Sequence, residues 1–521
     1  MSPQALYTCS TAISLVTVTE DLAALLSVRR RTIERYRVTY LDTFDGRVTR
    51  SGGCLTVASE GERTRLEWRP GHEHRRFDVM IDRPVGFASD LPDCPLRDRL
   101  EPIIAMRRLL PIVTVERGGS VLDVLDEEHK TVARIRVESG RARAPKRGAR
   151  WRPLPTLLTL SALQGYDADF RRLLPIVESR PGFQACPDGL QALALHTIDG
   201  TAPRDMSALD IRLEPLVRAD DGARQIHRAL LAIMVANEPG VRDDLDMEFL
   251  HDFRVAIRRT RSLLTQIKGV LPKAAVNRYK NEFAWLGQIT GPTRDLDVLL
   301  LALRESPRDL DENDLADLRS HLMQDRRRKH RRLVQQLESP RYHALMTEWR
   351  RFLKGQRRGA RQAKNAAMPL ATVVSRRAWR LYRHIVARAD DAHGTAPPQV
   401  LHQTRIDAKK LRYLIDTAYS LYSARDLRKA LGALKRLQTV LGDFNDACVQ
   451  EVHLREQGRI LEKNKPEHEG ARRAAEFLAK YVHDRAEHLR KPVAKELARF
   501  CDAKMRSHFQ RVFRVQTTKE A

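Results

Sequence analysis

The sequence predicts an α+β chain of two domains: an antiparallel β domain with its linker at residues 1–205, and an all-α domain at 206–515. Three observations predict it. Apolar residues recur with a period near two before about residue 140 and near 3.6 after Asp210. Charge is unevenly held, with 31 basic and 27 acidic side chains before residue 206 and 62 and 40 after it. The second part also repeats itself at a fixed offset of 151 residues.

At 521 residues the chain is long enough for more than one core, and 42% hydrophobic residues can fill them. The formal charge of +26 predicts an acidic partner or surface. The six cysteines (Cys9, Cys54, Cys94, Cys186, Cys448 and Cys501) form no CxxC pair, which argues against a zinc or redox motif and fits a reducing compartment. No apolar run reaches the roughly 18 residues of a membrane span, and no signal-peptide pattern opens the chain. The expected location is the cytoplasm, with no membrane partner.

In the first domain, runs at 13–19, 32–40, 55–58, 66–68, 112–116 and 132–138 read as strands. They are separated by breakers that include Gly52-Gly53, Arg69-Pro70-Gly71 and Gly118-Gly119. The stretch 141–155 is basic and Pro-punctuated, 167–178 reads as a helix, and the rest to Met206 reads as loop. Beyond Asp210 the pattern is helical, and Pro239-Gly240, Leu271-Pro272, Gly291-Pro292, Ser306-Pro307, Ser339-Pro340, Pro397-Pro398 and Lys465-Pro466 are expected to punctuate a bundle.

Shifting the helical part by 151 residues brings His251 onto His402, Arg254 onto Arg405, Arg258 onto Lys409, Arg259 onto Lys410 and Arg261 onto Arg412. Leu263, Leu286, Gly291, Asp295 and Val298 meet Leu414, Leu437, Gly442, Asp446 and Val449 in the same frame. Two related halves follow, at about 206–385 and 386–515. On a helical wheel His251, Arg254, Arg258 and Arg261 fall within an arc of about 80°, strung over roughly 15 Å. Phe253, Ile257, Leu264, Ile267 and Leu271 occupy another arc that can supply the core. The second copy sets His402, Arg405, Lys409 and Arg412 against Leu411, Ile415, Ala418 and Tyr422.

A solvated face usually alternates Glu with Lys four apart, whereas these basic positions read as a stripe without an acid. Like charges then repel unless an anion relieves them, so the stripe predicts anion binding. The run 326–332 and the acid-free segment 349–389, with Arg350, Arg351, Lys354, Arg357, Arg358, Arg361, Lys364, Arg376, Arg377, Arg380, Arg383 and Arg388, add to the basic surface. Asp295 and Asp446 read as helix caps or as carboxylates that orient stripe arginines, with metal ligation beside the histidines as the other reading.

The strings His-Asp-Phe-Arg-Val-Ala-Ile-Arg-Arg-Thr-Arg (251–261) and His-Gln-Thr-Arg-Ile-Asp-Ala-Lys-Lys-Leu-Arg (402–412), with Asn237-Glu238 upstream and the Gly…Asp segments downstream, resemble the CHAD domain, the conserved histidine α-helical domain. The resemblance covers about 207–515. It implies two pseudo-twofold-related four-helix bundles around a basic groove or pore that binds inorganic polyphosphate, often with recruitment to polyphosphate granules. It points to His251, Arg254, Arg258, Arg259, Arg261, His402, Arg405, Lys409, Lys410 and Arg412 as the binding residues, with no cofactor and no metal.

The first domain is similar to the CYTH, or triphosphate tunnel, domain that commonly precedes CHAD. Tyr-Leu-Asp-Thr-Phe-Asp at 40–45 resembles that family's turn, and 66–71 its strand and turn. The family's ExExK strand is missing, because the stretch read as the opening strand, 14–19, is Ser-Leu-Val-Thr-Val-Thr. A degenerate, non-catalytic tunnel is therefore expected. Carboxylates are what seat Mg²⁺ in triphosphate hydrolysis. The rival readings are nucleic-acid binding and a residual triphosphatase or polyphosphatase using carboxylates such as Glu67 or Glu116. Protonation of the histidines would tighten anion binding as pH falls from 8 to 6.

Overall fold

The computed structural model describes all residues except 1–3, 10–13, 61–62, 71–75, 181, 199, 201–208, 210, 356–362, 392–396, 463–467 and 515–521. They form two compact units, Met1–Met206 and Ser207–Ala521.

The first unit runs β1 (Gln4–Cys9), α1 (Leu15–Leu25), β2 (Val28–Thr43), α2 (Arg47–Arg50), β3 (Cys54–Glu60), β4 (Arg63–Arg69) and β5 (Phe77–Ile81). It continues through α3 (Pro95–Ile104), β6 (Leu109–Leu125), β7 (Thr131–Arg143), β8 (Arg152–Ala162), α4 (Asp167–Glu178), β9 (Phe183–Ala185) and α5 (Gly189–Thr197). Among the described residues the strands form one nine-stranded antiparallel sheet, in the order β5-β4-β3-β2-β6-β7-β8-β1-β9. This arrangement is consistent with the tunnel-like fold.

Alternation divides the two faces of the sheet. Leu122, Val124, Ile135, Val137, Leu158 and Leu160 pack with Val18 and Leu22 of α1 and with Phe170, Leu173 and Val177 of α4. Intervening residues carry charge: Asp123 accepts from Arg31 and Arg134, and buried Glu138 accepts from the Tyr36 hydroxyl and Arg136. The Tyr40–Asp45 turn is structural. Asp42 accepts from the amides of Thr43, Val48 and Thr49, which holds the start of α2, and Asp45 is buried against Arg47 and Arg107.

Two sequence expectations are corrected here. Residues 15–19 are not a strand but the first turns of α1: Ser14 caps them by accepting from the Thr17 amide, and burial of Val18, Thr19 and Leu22 at helical spacing outweighs the β-propensity of the Val-Thr run. The opening strand is instead β1, Gln-Ala-Leu-Tyr-Thr-Cys, which holds no carboxylate and no lysine. Gly118-Gly119 is likewise no break. The pair lies within β6 opposite an irregularity in β2, and a Cβ on Gly119 would stand 2.1 Å from the Val137 carbonyl oxygen.

The second unit is helical: α6 (Ala219–Arg242), α7 (Met247–Gln266), α8 (Lys273–Ala302), α9 (Glu312–Leu337) and α10 (Pro340–Lys354), then α11 (Leu370–Asp391), α12 (Pro398–Thr417), α13 (Ala424–Glu462), α14 (Glu469–Phe500) and α15 (Ala503–Phe513). Helices α6, α7 and α8 begin at residues 219, 247 and 273, while α11, α12 and α13 begin at 370, 398 and 424, each 151 residues later. The repeat read from side chains is thus a repeat of backbone. Among the described residues each half has four longer helices and a shorter closing one, so the halves divide between α10 and α11; the expected boundary at 385/386 falls inside α11, the first helix of the second half.

Pro239-Gly240 and Gly291-Pro292 do not punctuate the bundle, because both lie inside helices, α6 and α8. Gly240 serves packing: a Cβ there would meet the Phe249 ring at 2.3 Å. Helix α13 has 39 residues against 30 for α8, and this overhang carries the α13–α14 hairpin to α9 of the first half. There Arg473 donates to Asp314 at 2.6 and 2.9 Å, and the His321 and His468 rings lie 5.8 Å apart.

Gly119→Ala is expected to destabilise the first unit by about 1–3 kcal/mol, since its neighbours are backbone and cannot yield cheaply. Urea unfolding followed by circular dichroism measures this.

Candidate functional site

Helices α7 and α12 pack side by side and bring the two histidine-headed stripes together. Their apolar arcs fix this rotation. Phe253, Ile257 and Leu264 on one helix and Leu411 and Ile415 on the other are all buried. The Arg259 guanidinium crosses to lie over the Tyr413 ring, 5.7 Å from its centroid. Arg258 of α7 faces Arg405 and Lys409 of α12 closely enough to press on both charges.

On the first-half side, Arg254 donates to the Gly287 carbonyl at 2.9 Å and to the Thr290 hydroxyl at 2.8 Å. Burial pushes its guanidinium down to about 10; Asp295 opposes this, while Arg258, Arg294 and Arg261 add to it. Arg261 lies against Gly287, where a methyl group would stand 3.2 Å from its Nη1. His251 Nδ1 accepts from Arg294 Nη2 at 3.0 Å. A guanidinium can only donate, so the proton of the neutral ring sits on Nε2.

On the second-half side, Arg405 donates to Asp446 at 3.1 Å, and burial lowers its pKa. Arg412 reaches Asp416 at 3.3 Å and the Gln438 side-chain oxygen at 3.1 Å. Lys410 is turned to Asp407 at 2.9 Å, which also receives Arg388. His402 Nδ1 lies 2.7 Å from Asn445 Oδ1. Lys409 has no carboxylate partner among the described residues. Burial pushes its ammonium down to about 8, and Arg405 and Arg258 add to the effect.

Of the ten residues singled out by sequence, Arg254, Arg258, Arg261, Arg405 and Lys409 therefore share one cationic seam, with Arg259 bridging it. The two histidines stand where each stripe begins, while Lys410 and Arg412 are engaged by aspartates. The stripe is not free of acid, as its spacing suggested: Asp416 continues it one turn beyond Arg412. At the centre of the seam, Nε of Arg258 and Nε of Arg405 are buried and have no hydrogen-bond acceptor among the described residues. Buried N–H donors are normally satisfied, but Nε of Arg117 and Nε of Arg136 in the first unit are buried without an acceptor in the same way, so this does not by itself mark a ligand.

Asp295 and Asp446 lie well inside α8 and α13, so neither caps a helix; Asp446 orients Arg405 directly. The basic run at 326–332 is largely consumed by the fold. Arg326 spans Asp244 and Asp297, Arg328 and Lys329 pair with Asp325, and His330 bonds the Val241 carbonyl. Arg377 donates to Gln266. Arg357, Arg358 and Arg361 lie outside the described residues.

Sequence reasoning missed the partners of the two histidines. Arg294 and Asn445 are also 151 residues apart, as are Gly287 and Gln438, so extending the repeat to unlike residues would have found them. It also missed a cleft of about 570 Å³ between α12 and α13, lined by Pro398, His402, Phe444, Asn445, Cys448 and Val452 among others.

Residues 225–455 match the model of the CHAD domain family. No curated protein matches the chain. Among solved structures, the chain is similar to the CHAD domain from the plant Ricinus communis, with 25% identity over 56% of this chain and 95% of that one and a TM-score of 0.47. It is also similar to PptA from Streptomyces chartreusis, with 17% identity over 54% and 99% and a TM-score of 0.40. With its duplicated histidine-headed helices paired along a basic seam, the helical unit carries a CHAD domain, matched over residues 225–455.

Proposed function

We propose that the helical unit binds inorganic polyphosphate along the α7–α12 seam and that binding brings the protein to polyphosphate granules in the cytoplasm. CHAD domains are a family linked to polyphosphate binding. One observation carries the reading to this chain. Arg258 and Lys409 are pressed together from opposite halves with no carboxylate between them among the described residues, and the lysine is pushed down to about 8. The carboxylates of the seam, Asp295, Asp446 and Asp416, are fewer than its cations, and a chain of phosphates supplies one counter-charge per residue of ligand. Guanidinium forks grip phosphate oxygens bidentately, and displacement of counterions from the polyanion adds to the affinity. No helix among the described residues is long and apolar enough to cross a membrane.

Along the seam nucleic acid is the weaker reading, because stacking successive bases needs a row of free aromatic faces. Tyr413 and Trp379, which lie near the basic segments, are already used: Tyr413 lies under Arg259, and Trp379 stacks on Tyr382. For the first unit, we read the sheet as non-catalytic. Glu116 is held by Arg37 and Arg141, Glu67 by Arg69, and Asp123 by Arg31 and Arg134. Carboxylates spent on arginines are poorly placed to seat a divalent cation.

In calorimetric titrations, polyphosphate of defined length should bind more tightly than a single-stranded oligonucleotide of equal charge at the same salt. Arg258→Ala and Lys409→Ala should each weaken binding by about tenfold or more, the worth of a charge-assisted contact. Tighter binding of the oligonucleotide would replace the ligand, and unaltered affinity in both variants would remove the seam. Incubation with Mg²⁺ or Mn²⁺ and polyphosphate or triphosphate should release no orthophosphate.

The pH dependence has a definite sign. Bound anion restores Lys409 toward its ordinary value near 10.5, so binding takes up a proton between about pH 8 and 10, and affinity falls as pH rises through that window. Titrations in buffers of different ionisation heat report the proton. Without ligand the same shift costs stability: below about pH 8 the unfolded chain keeps its ammonium more easily than the folded one. Lys409→Met should therefore stabilise the free protein by about 1–3 kcal/mol at pH 7, with the gain fading toward pH 10.5 in thermal melts.

A further inference from the structure

The two ends of the seam differ although they descend from one pattern. In the first half Glu248, Asp252 and Asp297 act on Arg294, the partner of His251, and Asp246 caps α7; the positions 151 residues on hold Gln399, Gln403, Cys448 and Pro397. Four carboxylates have become four neutral groups. The first-half end is also closed by Arg326 of α9, which donates to Asp297 at 2.7 Å and to Asp244. The matched place in the second half is the open cleft beside His402, where Thr293 of the first half is replaced by Phe444 and Arg294 by Asn445. Helix α7 begins with the Asp246 carboxylate accepting from two backbone amides, whereas α12 begins at Pro397 without a side-chain cap.

We infer that this cleft receives the organic end of a ligand whose phosphates lie on the seam, and that the ligand is a nucleoside polyphosphate. The inference rests on the phosphate-binding reading of the seam. His402 belongs to both places: it lines the cleft and stands one helical turn, about 5 Å, from Arg405. A phosphate chain leaving Lys409 and Arg405 toward the second-half end passes one carboxylate, Asp446, already paired with Arg405, and none at the four matched positions, before an apolar wall of Phe444, Val449 and Val452. The volume of about 570 Å³ lies in the range of small-ligand sites. The side-chain amides of Gln399 and Gln403 offer donors and acceptors together, as the edge of a base requires, and the rings of His402 and His453 offer faces for stacking above the buried Phe444, whose own ring is covered by Arg490. A lipid tail would use the apolar wall but not the two glutamine amides, and a purely inorganic chain would use neither.

The test compares ATP with tripolyphosphate, both without metal, in calorimetric titrations of the full chain at one pH and salt. Tripolyphosphate carries the greater charge, so electrostatics alone favours it. Wild-type protein should bind ATP about fivefold to tenfold more tightly, the contribution of one stacked base. Val452 is 64% exposed, so Val452→Trp can fill the cleft without disturbing the core. It should erase the ATP advantage and leave tripolyphosphate unchanged, and Gln399→Ala, also at the surface, should reduce the advantage. Equal or tighter binding of tripolyphosphate by the wild type overturns the cleft while the seam stands. Equal weakening of both ligands by Val452→Trp overturns it as well. Binding of neither ligand takes the seam down with it.

Discussion

The helical unit depends on holding like charges together. Two helices that would repel along their basic faces are kept in contact by the apolar faces beneath, where Phe253, Ile257, Leu264, Leu411 and Ile415 are withdrawn from water. Each such side chain contributes about 1.5–3 kcal/mol, so a handful outweighs the repulsion above them. The hydrophobic arc does more than stabilise. It sets the rotation of each helix, and the rotation decides that Arg258 looks at Lys409 rather than at solvent.

Around that fixed centre the two copies have solved the same problem with different chemistry. Arg254 is anchored by a carbonyl and a hydroxyl, its counterpart Arg405 by a carboxylate. Arg261 rests on the bare backbone of Gly287, while Arg412 bonds the side chain of Gln438 at the matched position. His251 faces an arginine and His402 an asparagine. Anchors for long cationic side chains are interchangeable as long as they limit the directions a guanidinium can take.

Much of this was legible in the residues. A frame of 151 that preserves five basic positions needs no structure to be seen, and three helix starts keep that frame in the backbone. What failed did so for stated reasons. Pro239-Gly240 and Gly291-Pro292 read as breaks because local propensity ignores what a glycine allows a neighbour to do; Gly240 admits Phe249, and Gly291 lies 3.6 Å, measured from its would-be Cβ, from Arg254. The β-branched run after Ser14 obeyed burial instead of propensity. The aspartates that take Lys410 and Arg412 were in view on the same helix, but only three-dimensional placement shows which side of it each charge uses. The cleft was illegible because it is made by what is absent: short or neutral side chains where the first copy has acids.

The overhang of α13, with its hairpin partner α14, gives the duplication a direction. The later copy meets α9 of the earlier one through Arg473 and Asp314, and His321 of α9 in turn reaches Gln457 of α13. The two halves are thereby locked together at the end where the longer α13 overhangs the shorter α8.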